Sequence, residues 1–350
     1  MPRIHSIDVL KLIIAAGVVW AHATLLTLQG GAVAYVLGQG LVRTVVPTFA
    51  VLSGFLFHST FHHGRARGWL IRLGLFYLIW TALYLPVWWP QDPTLGTVVQ
   101  ELVFGPIHLW YMAALMLALV TLRVVLLLAG DDRRGRWWLM VLGLVFLLCG
   151  TALQAVGFFH EAGVSLHAWR NGMFFEFPFV VIGYLVADRI RRRGTDWLPS
   201  ARQAWSILGV LALLRLGEAG LSLHLFGLSI FAPPEFPFLS AAFSLMVLLV
   251  ALRTNVPRLP VNIAFLSMMI YFLHFIVLLG AIRFGVTSVW ALMALGMGLP
   301  MLAGGALLAL GQWLRGRLSG AWHRRLYGSA GLRDGDDAAP ETGEMAPRRG

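Results

Sequence analysis

Charge is scarce in this chain. Only 12% of its 350 residues are Asp, Glu, Lys or Arg, while 58% are apolar and the mean hydropathy is +0.76. A soluble domain carries about 25% charged residues, so this chain has too few to cover a water-facing surface. A soluble enzyme, a DNA-binding domain and a disordered regulator are excluded. A channel, a transporter and a membrane enzyme are not. Cysteine is nearly absent as well: Cys149 stands alone inside an apolar run, which excludes a disulfide framework or a zinc cluster within the chain. Lysine occurs once, at Lys11, so the formal charge of +11 is carried by arginine. Those arginines sit mostly in short gaps between apolar runs. That is the pattern of topology-setting loops rather than of a nucleic-acid surface, and no nucleic-acid partner is expected.

Long apolar runs fill the rest. About 20 apolar residues cross a bilayer as a helix, and ten such runs fall at 7–27, 41–58, 69–89, 107–128, 137–156, 172–188, 204–217, 237–253, 262–283 and 288–313. They predict an all-α integral membrane protein, a polytopic bundle of about ten transmembrane helices with the seventh span the shortest. Twenty of the 27 basic residues fall at the N-terminus, in the even-numbered breaks and in the C-terminal tail, whereas the odd-numbered breaks hold only Arg170. By the positive-inside rule this predicts a multi-pass protein of the cell (inner) membrane with both termini cytoplasmic and the 90–106 and 217–236 loops outside. Ala21-His22-Ala23 after an apolar run has the small-x-small form of a cleavage site. Asp8 and Lys11 interrupt that run and apolar sequence continues to Leu28, so the segment is read as an uncut first span. Residues 1–328 are expected to form one transmembrane domain. From Ser329 the chain is Gly, Ala, Pro and charge, and 329–350 is expected to be a cytoplasmic tail without order. No internal repeat is visible, which counts against an inverted-repeat transporter.

Six basic residues remain inside the runs: Lys11, Arg43, Arg72, Arg123, Arg215 and Arg283. A charge near the bilayer centre costs at least ~2.5–3.5 kcal/mol, so each needs a partner, a watery cavity or an escape to the interface. Arg123, Arg215 and Arg283 lie near span ends and are expected to snorkel. The first span holds Asp8, Lys11 and His22. Lys11 and His22 are eleven residues apart, about three turns and ~16 Å of rise, and so share one helix face. A polar track through the bundle follows. Histidine there can act as a general base toward a hydroxyl, conduct protons, or simply pack with a hydrogen bond, and spacing alone leaves all three open. The ninth span carries Tyr271 and His274 at i, i+3. The fourth opens with His108, Trp110 and Tyr111, where an aromatic belt would lie. His58 and His62 have metal-ligand spacing, but neither a carboxylate nor a cysteine accompanies them in that segment, so no metal is expected.

Several of these segments, taken together and in order, resemble the integral-membrane acyltransferase 3 family. Ile7-Asp8-Val9-Leu10-Lys11 running to His22 is similar to its basic residue, ten residues, then His. Arg43-Thr44-Val45-Val46-Pro47-Thr48-Phe49-Ala50-Val51-Leu52-Ser53-Gly54-Phe55 resembles its second span, and His108-Leu109-Trp110-Tyr111-Met112 its HLWYL segment. Arg170-Asn171-Gly172-Met173-Phe174-Phe175 with Gly183-Tyr184, and Ile270-Tyr271-Phe272-Leu273-His274, resemble two later signatures. The family's Arg-x-x-Arg at the third span is incomplete: Trp69-Leu70-Ile71-Arg72 lacks the first Arg, and Arg65 and Arg67 lie just upstream. The resemblance implies a stand-alone version, without the fused extracytoplasmic hydrolase-like domain that some members carry.

The resemblance implies an O-acyltransferase that uses cytoplasmic acyl-CoA, acetyl-CoA above all, as co-substrate with no permanently bound cofactor. The partners it implies are membrane lipid, the acyl-CoA and a glycan or lipid-linked acceptor. His22 would be the base, with Lys11 catalytic on the same helix face three turns away, and Arg67 and Arg72 would meet the donor's phosphates. Lys11, Arg43 or Ser53 would face the oxyanion. Trp110, Tyr111, Arg170 and Asn171 would hold the acceptor, with Asp8, Tyr271 and His274 in support. A second reading, a small-solute permease, also suits ten spans with buried cations. An intramembrane protease is not expected, because neither Ser53 nor Ser267 sits in a Gly-x-Ser-Gly turn with a matched His.

Overall fold

The computed structural model describes residues 4–27, 31–159, 165–227 and 239–327; the tail expected at 329–350 lies outside the described residues. Among the described residues, those up to Leu302 form one compact unit and those from Ala303 belong to a second. Every regular element among the described residues is helical. In chain order they are α1 (His5–Thr27), α2 (Ala32–Gly40), α3 (Val45–His62), α4 (Ala66–Leu83), α5 (Leu85–Trp88), α6 (Leu95–Phe104), α7 (Trp110–Ala129), α8 (Arg133–Phe159), α9 (Phe177–Arg193), α10 (Ala201–Phe226), α11 (Ser240–Arg253), α12 (Ile263–Arg283) and α13 (Val289–Tyr327). Helices answer to all ten apolar runs, as backbone groups in lipid require.

Among the described residues, seven stretches are long and apolar enough to cross a membrane: His5–Thr27, Ala32–His62, Ile107–Ala129, Arg133–Gly157, Ala201–Phe226, Ile263–Arg283 and Val289–Arg315. The other three runs are α4, α9 and α11, of 18, 17 and 14 residues. α9 is buried along most of its length, from Phe177 to Asp188, because α3, α7, α8 and α11 all pack against it. A helix enclosed by protein need not meet lipid at full span length.

The seventh run departs most from expectation. It belongs to a 26-residue helix, α10, which begins at the Ser200–Gln203 capping box and ends at Gly227 in the left-handed conformation. Residues 217–226, expected in an outer loop, are therefore helical, and residues 228–238 lie outside the described residues. Lengthening this helix moves Arg215 from an end into its interior. Arg215 does not snorkel. It is fully buried, donating to the Glu218 carboxylate at 2.6 Å and to the backbone carbonyl of Gln39. The expected outer loop at 90–106 also contains a helix, α6, capped reciprocally by Thr94 and Thr97.

α3 and α9 cross with their backbones in close approach. A Cβ on Gly54 would fall on the carbonyl of Val180, and one on Gly183 would fall on the carbonyl of Val51. Two glycines thus let the backbones touch, the packing mode favoured between membrane helices. At the arginine-rich end of this pair, Asp188 is fully buried and meets Arg192 at 2.7 Å, Arg191 at 3.1 Å and Arg136 at 3.8 Å. Asp131 accepts from Tyr184 at 3.0 Å and faces His62 at 3.3 Å. Next to it, Asp132 caps α8; the N–H groups of Gly135 and Arg134 hold its carboxyl below the usual carboxylate range.

Candidate active site

Two helices and one tight turn bring three histidines together. α1 supplies His22, α12 supplies His274, and the 3-10 turn Ile107–Leu109 ahead of α7 supplies His108. His22 Nδ1 lies 2.9 Å from His274 Nε2, with the two rings stacked at 5.1 Å. His108 stands edge-on to both, at 5.0 Å from His274 and 6.3 Å from His22.

The hydrogen bonds decide where the protons sit. His274 Nδ1 is 2.9 Å from the carbonyl oxygen of Ile270 and 2.8 Å from that of Tyr271. A carbonyl only accepts, so His274 Nδ1 carries a hydrogen, and in the neutral ring Nε2 carries the lone pair. The bond between the rings therefore runs from His22 Nδ1–H to His274 Nε2. His22 Nε2 is left with a lone pair. A helix turn on α12 thus sets the tautomer of a residue on α1, the way a second group orients a catalytic imidazole.

His22 lines a cavity of about 560 Å³ and His274 stands behind it. Arg43, His108, Trp110, Tyr111, Arg170 and Tyr271 line the same cavity. Arg170 lies over the Trp110 ring at 4.6 Å, a cation–π contact that braces both side chains. Tyr271 donates its hydroxyl to the His108 carbonyl at 3.0 Å and so ties α12 to the turn. Ser53 does not line the cavity. Its hydroxyl is 3.3 Å from that of Tyr111, one layer back.

The remaining expected site residues fall elsewhere. Asn171 is half-buried, and its side chain is spent on the backbone. It accepts from Met173 and Phe174 N–H at 3.0 Å and donates to His167 and Ala168 carbonyls, capping the π-turn Gly172–Glu176 that leads into α9. Asp8 is buried and lines a second cavity of about 470 Å³ with His5, Arg258 and Asn262, at the other end of α1. Lys11 is half-buried and lines neither cavity. Arg67 and Arg72 are exposed at the arginine-rich start of α4, where Arg72 Nε donates to the Gly68 carbonyl at 3.2 Å.

His58 and His62 do acquire carboxylates, brought from α9 and the loop before α8. Ligand atoms of His58, His62 and Asp188 lie within 4.8 Å of one another. Yet the two nearby carboxylates already face Arg136, Arg191 and Arg192, so a divalent cation would enter a region with no negative charge left over. The cluster is better suited to locking α3 to α9.

His108 is the residue whose place sequence reasoning missed. It was visible as a belt residue, and its helical neighbours Trp110 and Tyr111 drew the attention. The available signal was Gly105-Pro106 just before it, a pair that marks a tight turn rather than a helix start. Glu176 was also missed. It is fully buried with neither carboxyl oxygen hydrogen-bonded among the described residues.

A half-buried imidazole with an oriented lone pair, at the wall of a cavity rich in aromatic rings and arginines, is equipped to take a proton from a hydroxyl. No curated protein and no solved structure shows significant similarity to the chain. A family model described as an acyltransferase domain matches residues 4–310, nearly the whole sequence. With its apolar helices and this match, the chain belongs to the acyltransferase 3 family and is a multi-pass membrane acyltransferase.

Proposed function

We propose that this protein transfers an acetyl group from cytoplasmic acetyl-CoA to a hydroxyl of a cell-surface glycan or lipid-linked glycan. The observation that carries the reading is the His22–His274 pair, whose tautomer leaves a lone pair on His22 Nε2 at the cavity wall. An acceptor hydroxyl placed against that nitrogen gives up its proton as its oxygen attacks the thioester carbon. General-base help of this kind is typically worth 10²–10⁴-fold.

The rest of the cavity supports a sugar acceptor. Trp110, Tyr111 and Tyr271 offer aromatic planes for the apolar face of a pyranose, and Arg43 and Arg170 offer donors to its oxygens. The donor's phosphates would meet Arg67 and Arg72 at the arginine-rich end, which the positive-inside rule places in the cytoplasm of a cell-membrane protein. Both guanidiniums are exposed there. In this arrangement donor and acceptor approach from opposite sides of the membrane and meet at His22.

The test is isotope transfer. Membranes containing the protein, given acetyl-CoA labelled in the acetyl group, should place label on the glycan fraction in an alkali-labile ester. A permease moves no acyl group from CoA to an acceptor. Unlabelled glycan with intact acetyl-CoA would count against the proposal.

A further inference from the structure

We infer that His108 is a catalytic residue of this site: its ring N–H stabilises the negative oxygen that forms when the acceptor hydroxyl attacks the thioester. The inference rests on the acyl-transfer reading above and adds a role to a residue that reading leaves idle.

Four observations meet at His108. It is only 3% exposed, and neither ring nitrogen has a hydrogen-bond partner among the described residues. A buried polar group left unpaired is destabilising, so an orphaned imidazole on a cavity wall calls for a reason beyond packing. His108 lines the same cavity as His22 and stands edge-on to it, close enough for one small reacting group to touch both rings. The backbone that presents it is strained: Ile107 sits at φ +53°, the one non-glycine residue with positive φ among the described residues, and it is β-branched. Gly105, at φ +85°, makes the turn possible, since a Cβ there would come within 2.5 Å of the Trp110 Cα. Finally, the Tyr271 hydroxyl clamps the His108 carbonyl, and the Tyr84 ring packs edge-on at 4.9 Å. Strain maintained by surrounding contacts is characteristic of functional sites.

The step balances as follows. The acceptor oxygen forms a bond to the thioester carbon while its proton passes to His22 Nε2. The carbonyl electron pair moves onto oxygen, which accepts a hydrogen bond from the His108 N–H. As the carbonyl re-forms, the carbon–sulfur bond breaks with its pair on sulfur, and the proton on His22 passes to that thiolate. His108 donates a hydrogen bond throughout and never changes its protonation state.

Two variants of the full-length protein in lipid nanodiscs test this, His108→Gln and His108→Met, with acetyl-CoA as donor and the host's glycan fraction as acceptor. Free CoA thiol gives the rate, and thermal unfolding gives the stability. Gln keeps an N–H donor and should stay within about 10-fold of the parent kcat. Met fills the space without a donor and should lower kcat by about 10²–10³-fold with KM for acetyl-CoA unchanged. Because Met also removes an unpaired buried polar group, its Tm should be unchanged or higher. A residue that served packing alone would show the reverse. The inference is overturned if Met retains more than a tenth of the parent kcat, if Gln is as inactive as Met, or if Met loses both Tm and activity. Acyl transfer by the parent protein, lost in His22→Ala, is the control on the underlying reading. If the parent releases no CoA at all, that reading fails, and the inference that rests on it falls with it.

Discussion

At the scale of single residues, the chemistry of the site depends on which nitrogen holds which hydrogen. His274 donates into its own helix, and that local bond is what leaves Nε2 of the cavity-lining His22 without a hydrogen. His274→Leu should therefore leave His22 in place but free to adopt either tautomer. The loss in kcat is expected to exceed 10-fold yet fall short of the ~10⁴-fold seen when a buried carboxylate partner is neutralised. KM for acetyl-CoA should hold, and steady-state kinetics separates the two. Arg72 makes a contrasting case. It is exposed and does not line the cavity, so Arg72→Ala should raise KM for acetyl-CoA by about 10-fold or more and spare kcat, equivalent to losing a charge-assisted bond of roughly 1.5–3 kcal/mol. An unchanged KM in the folded variant would move the donor contact to Arg65 or Arg67. His22 and His274 were each legible in the sequence from their spacing and from the family resemblance. Their contact was not, because 252 residues separate them and neither helix's periodicity reveals its neighbour.

At the scale of elements, apolar runs located ten helices because lipid leaves the backbone no alternative. Their lengths were less legible. α10 runs past its apolar stretch because Arg215 finds Glu218 and the Gln39 carbonyl inside the protein, so its charge did not mark a helix end. The Ser53-Gly54-Phe55 and Gly183-Tyr184 signatures, which look functional in sequence, are where α3 and α9 touch. Gly54→Ala should push a methyl into the Val180 carbonyl, and backbone cannot step aside as a side chain can. A loss of about 3 kcal/mol or more is expected, read as a fall in Tm. Gly209→Ala is the matched control. Its Cβ would meet nothing within 4 Å in mid-helix, and it should stabilise by about 0.5–1 kcal/mol. Equal Tm values for the two variants would contradict the tight crossing.

At the scale of the whole molecule, arginines and histidines divide the protein into two ends with different work. The end bearing Arg136, Arg191 and Arg192 is an ion-pair lock around two carboxylates, while the histidine cavity takes in Arg43 and Arg170. Charge asymmetry made this polarity legible in sequence, and reporter fusions at Gly135 and Gly194 should behave as cytoplasmic while one at Gly96 behaves as exported. A cytoplasmic signal at Gly96 would invert the proposed sidedness. The central claim is narrower: His22 takes the proton of an acceptor hydroxyl during acyl transfer. The measurement that meets it most directly is the turnover of His22→Gln with labelled acetyl-CoA, in protein whose Tm matches the parent. Gln can still hydrogen-bond to His274 Nε2 through its amide but cannot accept a proton at useful basicity. The account predicts a loss of 10²–10⁴-fold, as complete as that of His22→Ala, with acetyl-CoA binding retained. Near-normal transfer by His22→Gln would contradict it.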